Sequence, residues 1–200
     1  MPVRAGLSAR GLLAPWELSL SQGLGGLIVV GSYVPRTTRQ LQALLEEGAV
    51  RGIELPVEAL LDETRRDAVI GQAACETEAS LQRGEDVAVY TSRQLVAGSD
   101  AEASLAIGRS ISAGLVALVR QIATRPRYLL AKGGITSSDL ATRGLDIRRA
   151  MVLGQIHSGV PVWQLGSESR HPGLPYIVFP GNVGDDPALA EVVRRLHSAR

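Results

Sequence analysis

The chain has 200 residues, of which 45% are apolar and 20% charged, and its formal net charge is +1. That balance describes a globular domain able to bury a sizeable core, and it excludes both the basic field of a nucleic-acid binder and an acidic solvating tail. A single cysteine, Cys75, and three histidines exclude an internal disulfide and a Cys/His zinc site, which fits a reducing cytoplasm.

Residues 1–25 are rich in Gly, Ser and Leu, with one turn at Pro15-Trp-Glu-Leu18, and read as a linker; the compact domain is expected over 26–200. Leu27-Ile-Val-Val30 is a short, wholly apolar strand of the kind buried on both faces. Gly31 to Thr38 turns into a helix over Thr38–Glu47, with Leu41, Leu44 and Leu45 on one side. A strand at Gly52–Leu55 leads to one long helical stretch from Leu60 to Leu81. On it, Cys75 is expected to be a small packed residue.

Asp86–Tyr90 is a third strand ending in Thr91-Ser92-Arg93, and Ala101–Ala123 is the clearest helix, with a wide apolar stripe. No apolar run is taken as membrane-spanning, and the first residues lack a signal-peptide pattern, so the expected compartment is the cytoplasm, with no membrane and no nucleic-acid partner. Arg127–Ala131 is a fourth strand. A short helix at Ser138–Arg143 stops at Gly144. The rhythm then changes to successive strands at 150–156, 160–165 and 176–179, before a closing helix over Pro187–His197 capped by Asp186. Alternating β and α followed by consecutive strands predicts an α/β fold: a three-layer α/β/α sandwich on a mixed, mainly parallel sheet.

The most informative stretch is Tyr128-Leu-Leu-Ala-Lys-Gly-Gly-Ile-Thr-Ser-Ser-Asp139, a strand running through a Gly-Gly turn into a helix start. Unpaired N–H groups and closely approachable glycine backbone at such a turn suit a phosphate. It carries Lys132, the one lysine beside 20 arginines. Similar small, polar turns follow other strands: Gly31-Ser32, Thr91-Ser92-Arg93 and Pro180-Gly-Asn-Val-Gly-Asp185. Ligands of open α/β sheets bind outside the carboxyl ends of strands, so these turns together predict a shelf for a polyphosphate and a ribose.

The P-loop pattern GxxxxGK[ST], a GxGxxG after the first strand and a GxSxG elbow are all absent. His157 and His171 are expected in solvated turns, and His197 at a helix end. Asp139 reads as a helix cap, Arg93 as a surface residue and Trp163 as core. Asp139 and Asp185 are the carboxylates able to meet a phosphate-bound Mg2+ directly or through water.

Taken together, Leu27–Leu41, Val87–Arg93, Lys132–Asp139, Arg149–Ile156, Gly159–Trp163 and Pro175–Asp185 resemble the nucleotide-binding C-terminal domain of the four-carbon acid sugar kinases. These enzymes phosphorylate small sugar acids such as tetronates and 3-oxo-tetronates. The resemblance implies ATP and Mg2+ as cofactors and ATP contacts at Ser32, Gly133, Gly134, Ile135, Thr136 and Gly181, with Lys132 and Asn182 beside them. Members of the family carry an Asp-Asp-x-Thr-Gly-Ala-type loop for the sugar acid on an N-terminal domain. That loop does not occur here. By this resemblance residues 1–25 read as the interdomain linker or the remnant of a missing substrate domain. The sugar acid would then be held by a missing or separate N-terminal domain, and no catalytic base is assigned to this chain. The alternative is a non-catalytic nucleotide-binding or assembly module.

Overall fold

The computed structural model describes residues 11–21, 23–93 and 100–197. Among these, seven strands form one sheet: β1 (Leu27–Val30), β2 (Arg51–Leu55), β3 (Val87–Thr91), β4 (Leu129–Lys132), β5 (Ala150–His157), β6 (Val160–Leu165) and β7 (Pro175–Phe179), in the order β2-β3-β1-β4-β7-β6-β5. The first five of that order are mutually parallel, and β6 and β5 add antiparallel at one edge. The expected fold class is the one observed.

Period-two alternation divides the core into two layers. Leu27 and Val29 of β1 face one side, with Ile70, Ala73, Leu115, Leu118 and Leu140; Ile28 and Val30 face the other, with Leu41, Leu44, Leu189 and Val193. The first layer holds α2 (Val57–Leu61), α3 (Arg66–Gln82), α4 (Ala101–Gln121) and α5 (Gly134–Asp139, prolonged by a π turn over Leu140–Gly144). The second holds α1 (Pro35–Glu46) and α6 (Ala188–His197).

Several element limits differ from expectation for local reasons. α1 starts at Pro35, because proline suits a first helical position that needs no N–H. The long stretch expected over 60–81 is two helices. Asp62 breaks it by accepting the N–H and hydroxyl of Thr64 at 2.8 and 2.7 Å, contacts that also hold its carboxyl below the usual range. α5 begins at Gly134, directly after the glycine turn, so Asp139 lies at its far end and does not cap it. α6 starts at Ala188, and the carboxylate of Asp186, expected as its cap, instead receives Arg39 Nε at 2.9 Å.

Cys75 is exposed, not packed. α4 is long and apolar enough to cross a membrane by length and composition, contrary to expectation. Its second half is packed on the sheet through Leu115, Val116, Leu118 and Val119. Residues 1–10 of the N-terminal stretch lie outside the described residues. Beyond them, Leu13 and Leu18 are buried in the α1/α6 layer, and Leu13 N donates to Gln155 O at 2.7 Å on the edge strand β5.

Candidate functional site

The strand register brings four carboxyl ends level. Tyr90 of β3, Val30 of β1, Lys132 of β4 and Phe179 of β7 stand in one row across the sheet, so the turns that follow are neighbours. Those after β1, β4 and β7 pack closely. A Cβ at Gly31 would collide with the Thr136 hydroxyl; one at Gly133 would lie 2.9 Å from the Ser32 Cβ; one at Gly181 would lie 3.1 Å from the Ser32 Oγ. Ser32 is thus the point where the turns after β1, β4 and β7 meet.

The β4 turn is fixed from below. Gly133 has φ of +118°, a conformation that L side chains rarely adopt, and its N–H donates to Phe179 O at 2.8 Å. The Ser137 hydroxyl reaches Ala131 O and Gly133 O at 2.9 and 2.7 Å, and Tyr176 OH donates to Ser137 O at 2.6 Å. Gly134 is different: a Cβ there would meet nothing within 4 Å. It lines a cleft of about 490 Å3 on the α4/α5 side of the sheet.

Ser32, Gly133, Gly134, Ile135 and Thr136 all line this cleft. Gly181 adjoins it through Ser32, and Asn182 is exposed on the same loop. Lys132 does not line it. Alternation turns Lys132, like Leu130, to the α1/α6 face, where its ammonium donates to Pro180 O at 2.8 Å and stands 4.0 Å over the Phe179 ring. Burial first, and the Arg36 guanidinium second, push its pKa down to about 7.

The cleft also has residues that the sequence reading did not select: Tyr33, Leu105, Arg109, Ser112 and Arg143. Leu105 and Arg109 share one side of α4 by helical spacing, but nothing in the sequence ties that side to the β4 turn. Tyr33, Leu105 and Ile135 are exposed large apolar residues that form its mouth. Asp139 is the carboxylate among the lining residues. Ser112 Oγ donates to it, and Arg143 Nη1 stands 3.9 Å away.

Arg93 is tied down instead of being a free surface residue. It donates to Ser32 O at 2.7 Å and to Thr91 O and Oγ1 at 2.6–2.8 Å, joining the turns after β3 and β1; burial pushes its pKa down. Asp185 lies exposed on the β7–α6 loop, and its backbone carbonyl accepts from Gln40.

The histidines are away from the cleft. His157 ends β5, its ring stacked 6.4 Å from that of Phe179. His171 is buried, which with Arg170 and Arg125 nearby lowers its pKa. His197 Nδ1 lies 3.3 Å from the buried Asp86 carboxylate. Trp163 is half-buried against Tyr176, as expected of a core-lining residue.

Residues 27–189 match the family model of a nucleotide-binding C-terminal domain. No curated protein matches the chain. Several solved structures share its fold, these three among them. A DUF1537 domain of unknown function from Bordetella bronchiseptica, crystallised with citrate as a domain-swapped dimer, is 20% identical with a TM-score of 0.67 over 88% of this chain and 42% of its own. A Salmonella typhimurium LT2 protein described as a proposed tRNA synthase is 17% identical with a TM-score of 0.66 over 90% of this chain and 41% of its own. A Haemophilus influenzae DUF1537 protein is 19% identical with a TM-score of 0.62 over 85% and 40%. The chain therefore spans about two-fifths of the length of these structures.

Proposed function

From the premise that this chain belongs to the nucleotide-binding C-terminal domain family, we propose that it is the ATP-binding part of a kinase for a small four-carbon sugar acid. The observation that carries the nucleotide reading is the convergence of three glycine turns on Ser32 beside a cleft that Gly134 lines. Bare backbone there allows the phosphates to approach the N–H groups of Gly134–Thr136 and of Gly181 and Asn182. Arg109 and Arg143 add positive charge across the same cleft, and the apolar surfaces of Tyr33, Leu105 and Ile135 suit a base.

No group of three or more His, Cys, Asp or Glu side chains converges among the described residues, so these offer no all-protein metal cage. Mg2+ suits the site as an ion shared with the phosphates, with Asp139 the carboxylate within reach directly or through water. Phosphoryl transfer relies mostly on positioning and charge stabilisation, and ATP with Mg2+ would supply the transferable group. The sugar acid would be held by a separate domain, in keeping with the greater length of the solved structures that share this fold.

A second reading, a non-catalytic nucleotide-binding or assembly module, is favoured by one observation. The cleft carboxylate, Asp139, is already engaged by Ser112 and Arg143. Co-expression with a separate acceptor-domain protein distinguishes the two. Phosphorylation of a tetronate from ATP by the pair, absent with either chain alone, supports the kinase; nucleotide binding without transfer supports the module.

A further inference from the structure

The loop between β7 and α6 is held in an uncommon way. Its carbonyls accept from side chains almost without interruption. Pro180 O receives Lys132 Nζ at 2.8 Å, Gly181 O receives Thr37 Oγ1 at 3.1 Å, and Asn182 O receives Arg36 Nη1 at 2.7 Å. Val183 O and Asp185 O receive the amide of Gln40 at 2.9 and 2.7 Å. All of these donors except Lys132 stand on the first two turns of α1. Thr37, Gln40 and Lys132 are fully buried, and the Gln40 Oε1 is left buried without a partner. Ending a strand requires none of this.

Planar trans peptides fix the consequence. Among the described residues no peptide bond is cis, so each C=O and the N–H that follows it point to opposite sides. With the Pro180 carbonyl held by Lys132 and the others drawn to α1, the N–H groups of Gly181, Asn182, Val183, Gly184 and Asp186 point away from those donors. Among the described residues, those of Gly181, Asn182, Gly184 and Asp186 have no acceptor, and Val183 N only approaches Pro180 O at 3.5 Å. The row starts at Gly181, against the Ser32 side chain.

We propose that Arg36, Thr37, Gln40 and Lys132 are positioning residues that hold the loop carbonyls back so that the N–H groups of Gly181, Asn182 and Gly184 face a polyphosphate chain. The proposal rests on the nucleotide-binding reading above. It adds that the polyphosphate, not the nucleoside, is what this loop recognises. Such a row of aligned N–H groups stabilises an anion and gives a neutral nucleoside no comparable contact.

The test uses the full chain labelled with 15N and three probes: ATP, inorganic tripolyphosphate and adenosine. The amide signals of Gly181, Asn182 and Gly184 are expected to move with ATP and with tripolyphosphate, and to stay with adenosine. Thr37→Val removes one hydroxyl donor and is expected to weaken ATP and tripolyphosphate by about tenfold, the worth of one good hydrogen bond. Thr37→Ser, which keeps the donor, is expected to stay within about twofold of the parent, and adenosine affinity is expected to be the same in all three. Wild-type binding of ATP with those three amides unmoved would overturn the clamp while leaving the nucleotide reading intact. Equal loss of ATP and adenosine in both Thr37 variants would also overturn it, marking the residue as structural. No ATP binding by the wild-type chain would defeat both readings.

Discussion

A methyl group placed on Gly133 would stand 2.9 Å from the Cβ of Ser32, so the turns after β4 and β1 leave no room for a side chain between them. Gly133 also has φ of +118°. Gly133→Ala therefore meets a strained conformation and a crowded neighbour together. We expect it to lower stability by about 2 kcal/mol and the unfolding midpoint by roughly 4–8 °C. Thermal unfolding followed by circular dichroism checks this; an unchanged midpoint would mean that the turn has room to relax.

Gly134, the next residue, behaves oppositely. Nothing lies within 4 Å of a Cβ there, and it opens α5, so a side chain is tolerated and relieves the entropic cost of glycine. Gly134→Val is expected to leave stability unchanged or raised by up to about 1 kcal/mol, yet to weaken ATP binding at least about tenfold by filling the phosphate approach. Calorimetric titration beside thermal unfolding separates the two effects. Undiminished affinity would move the phosphates off this turn.

Lys132 couples nucleotide binding to pH. Its folded pKa of about 7 lies below its unfolded value of about 10.4, so the cost of burying the charge is fully present below pH 7. That cost is relieved as pH rises above 7, and this group alone makes the unliganded chain more stable between roughly pH 7 and 10. A bound polyanion favours the charged lysine, giving the opposite trend for ATP: affinity falls above pH 7, by no more than about tenfold per pH unit, with proton uptake on binding. Calorimetry in buffers of different ionisation enthalpy measures that uptake. Lys132→Met should abolish both trends, and a variant with the same pH slopes as the parent would remove the lysine from the account.

Arg93 links the ends of β3 and β1 through Thr91 and Ser32. Arg93→Ala is expected to cost about 1–3 kcal/mol and to loosen the Ser32 turn, weakening ATP as well. Arg93→Lys should recover only part of this, because an ammonium cannot span the two carbonyls as a planar fork does. Equal stability of the alanine variant and the parent would show that the turn is held by its glycine contacts alone.

The sequence carried the sheet more clearly than the cleft. Strands such as Leu27–Val30 are legible because burial on both faces demands continuous apolar runs, and the glycine turns after them mark the sheet edge on which the cleft lies. Three things were not legible. Lys132 follows an apolar strand and precedes Gly133, which in one dimension places it at the turn; only the sheet register turns it toward α1 and away from the cleft. The far wall, Leu105, Arg109 and Arg143, comes from α4 and the π turn, whose approach to the β4 turn is a tertiary fact with no local signal. The grip of α1 on the β7–α6 loop is hidden for the same reason, since Thr37 and Gly181 are 144 positions apart.

The most direct test of the central claim is calorimetric titration of the purified chain with ATP, with and without Mg2+. The account predicts saturable binding at one site, tighter with Mg2+ and reduced by Gly134→Val. A chain shown by circular dichroism to be folded that takes up no ATP would contradict it.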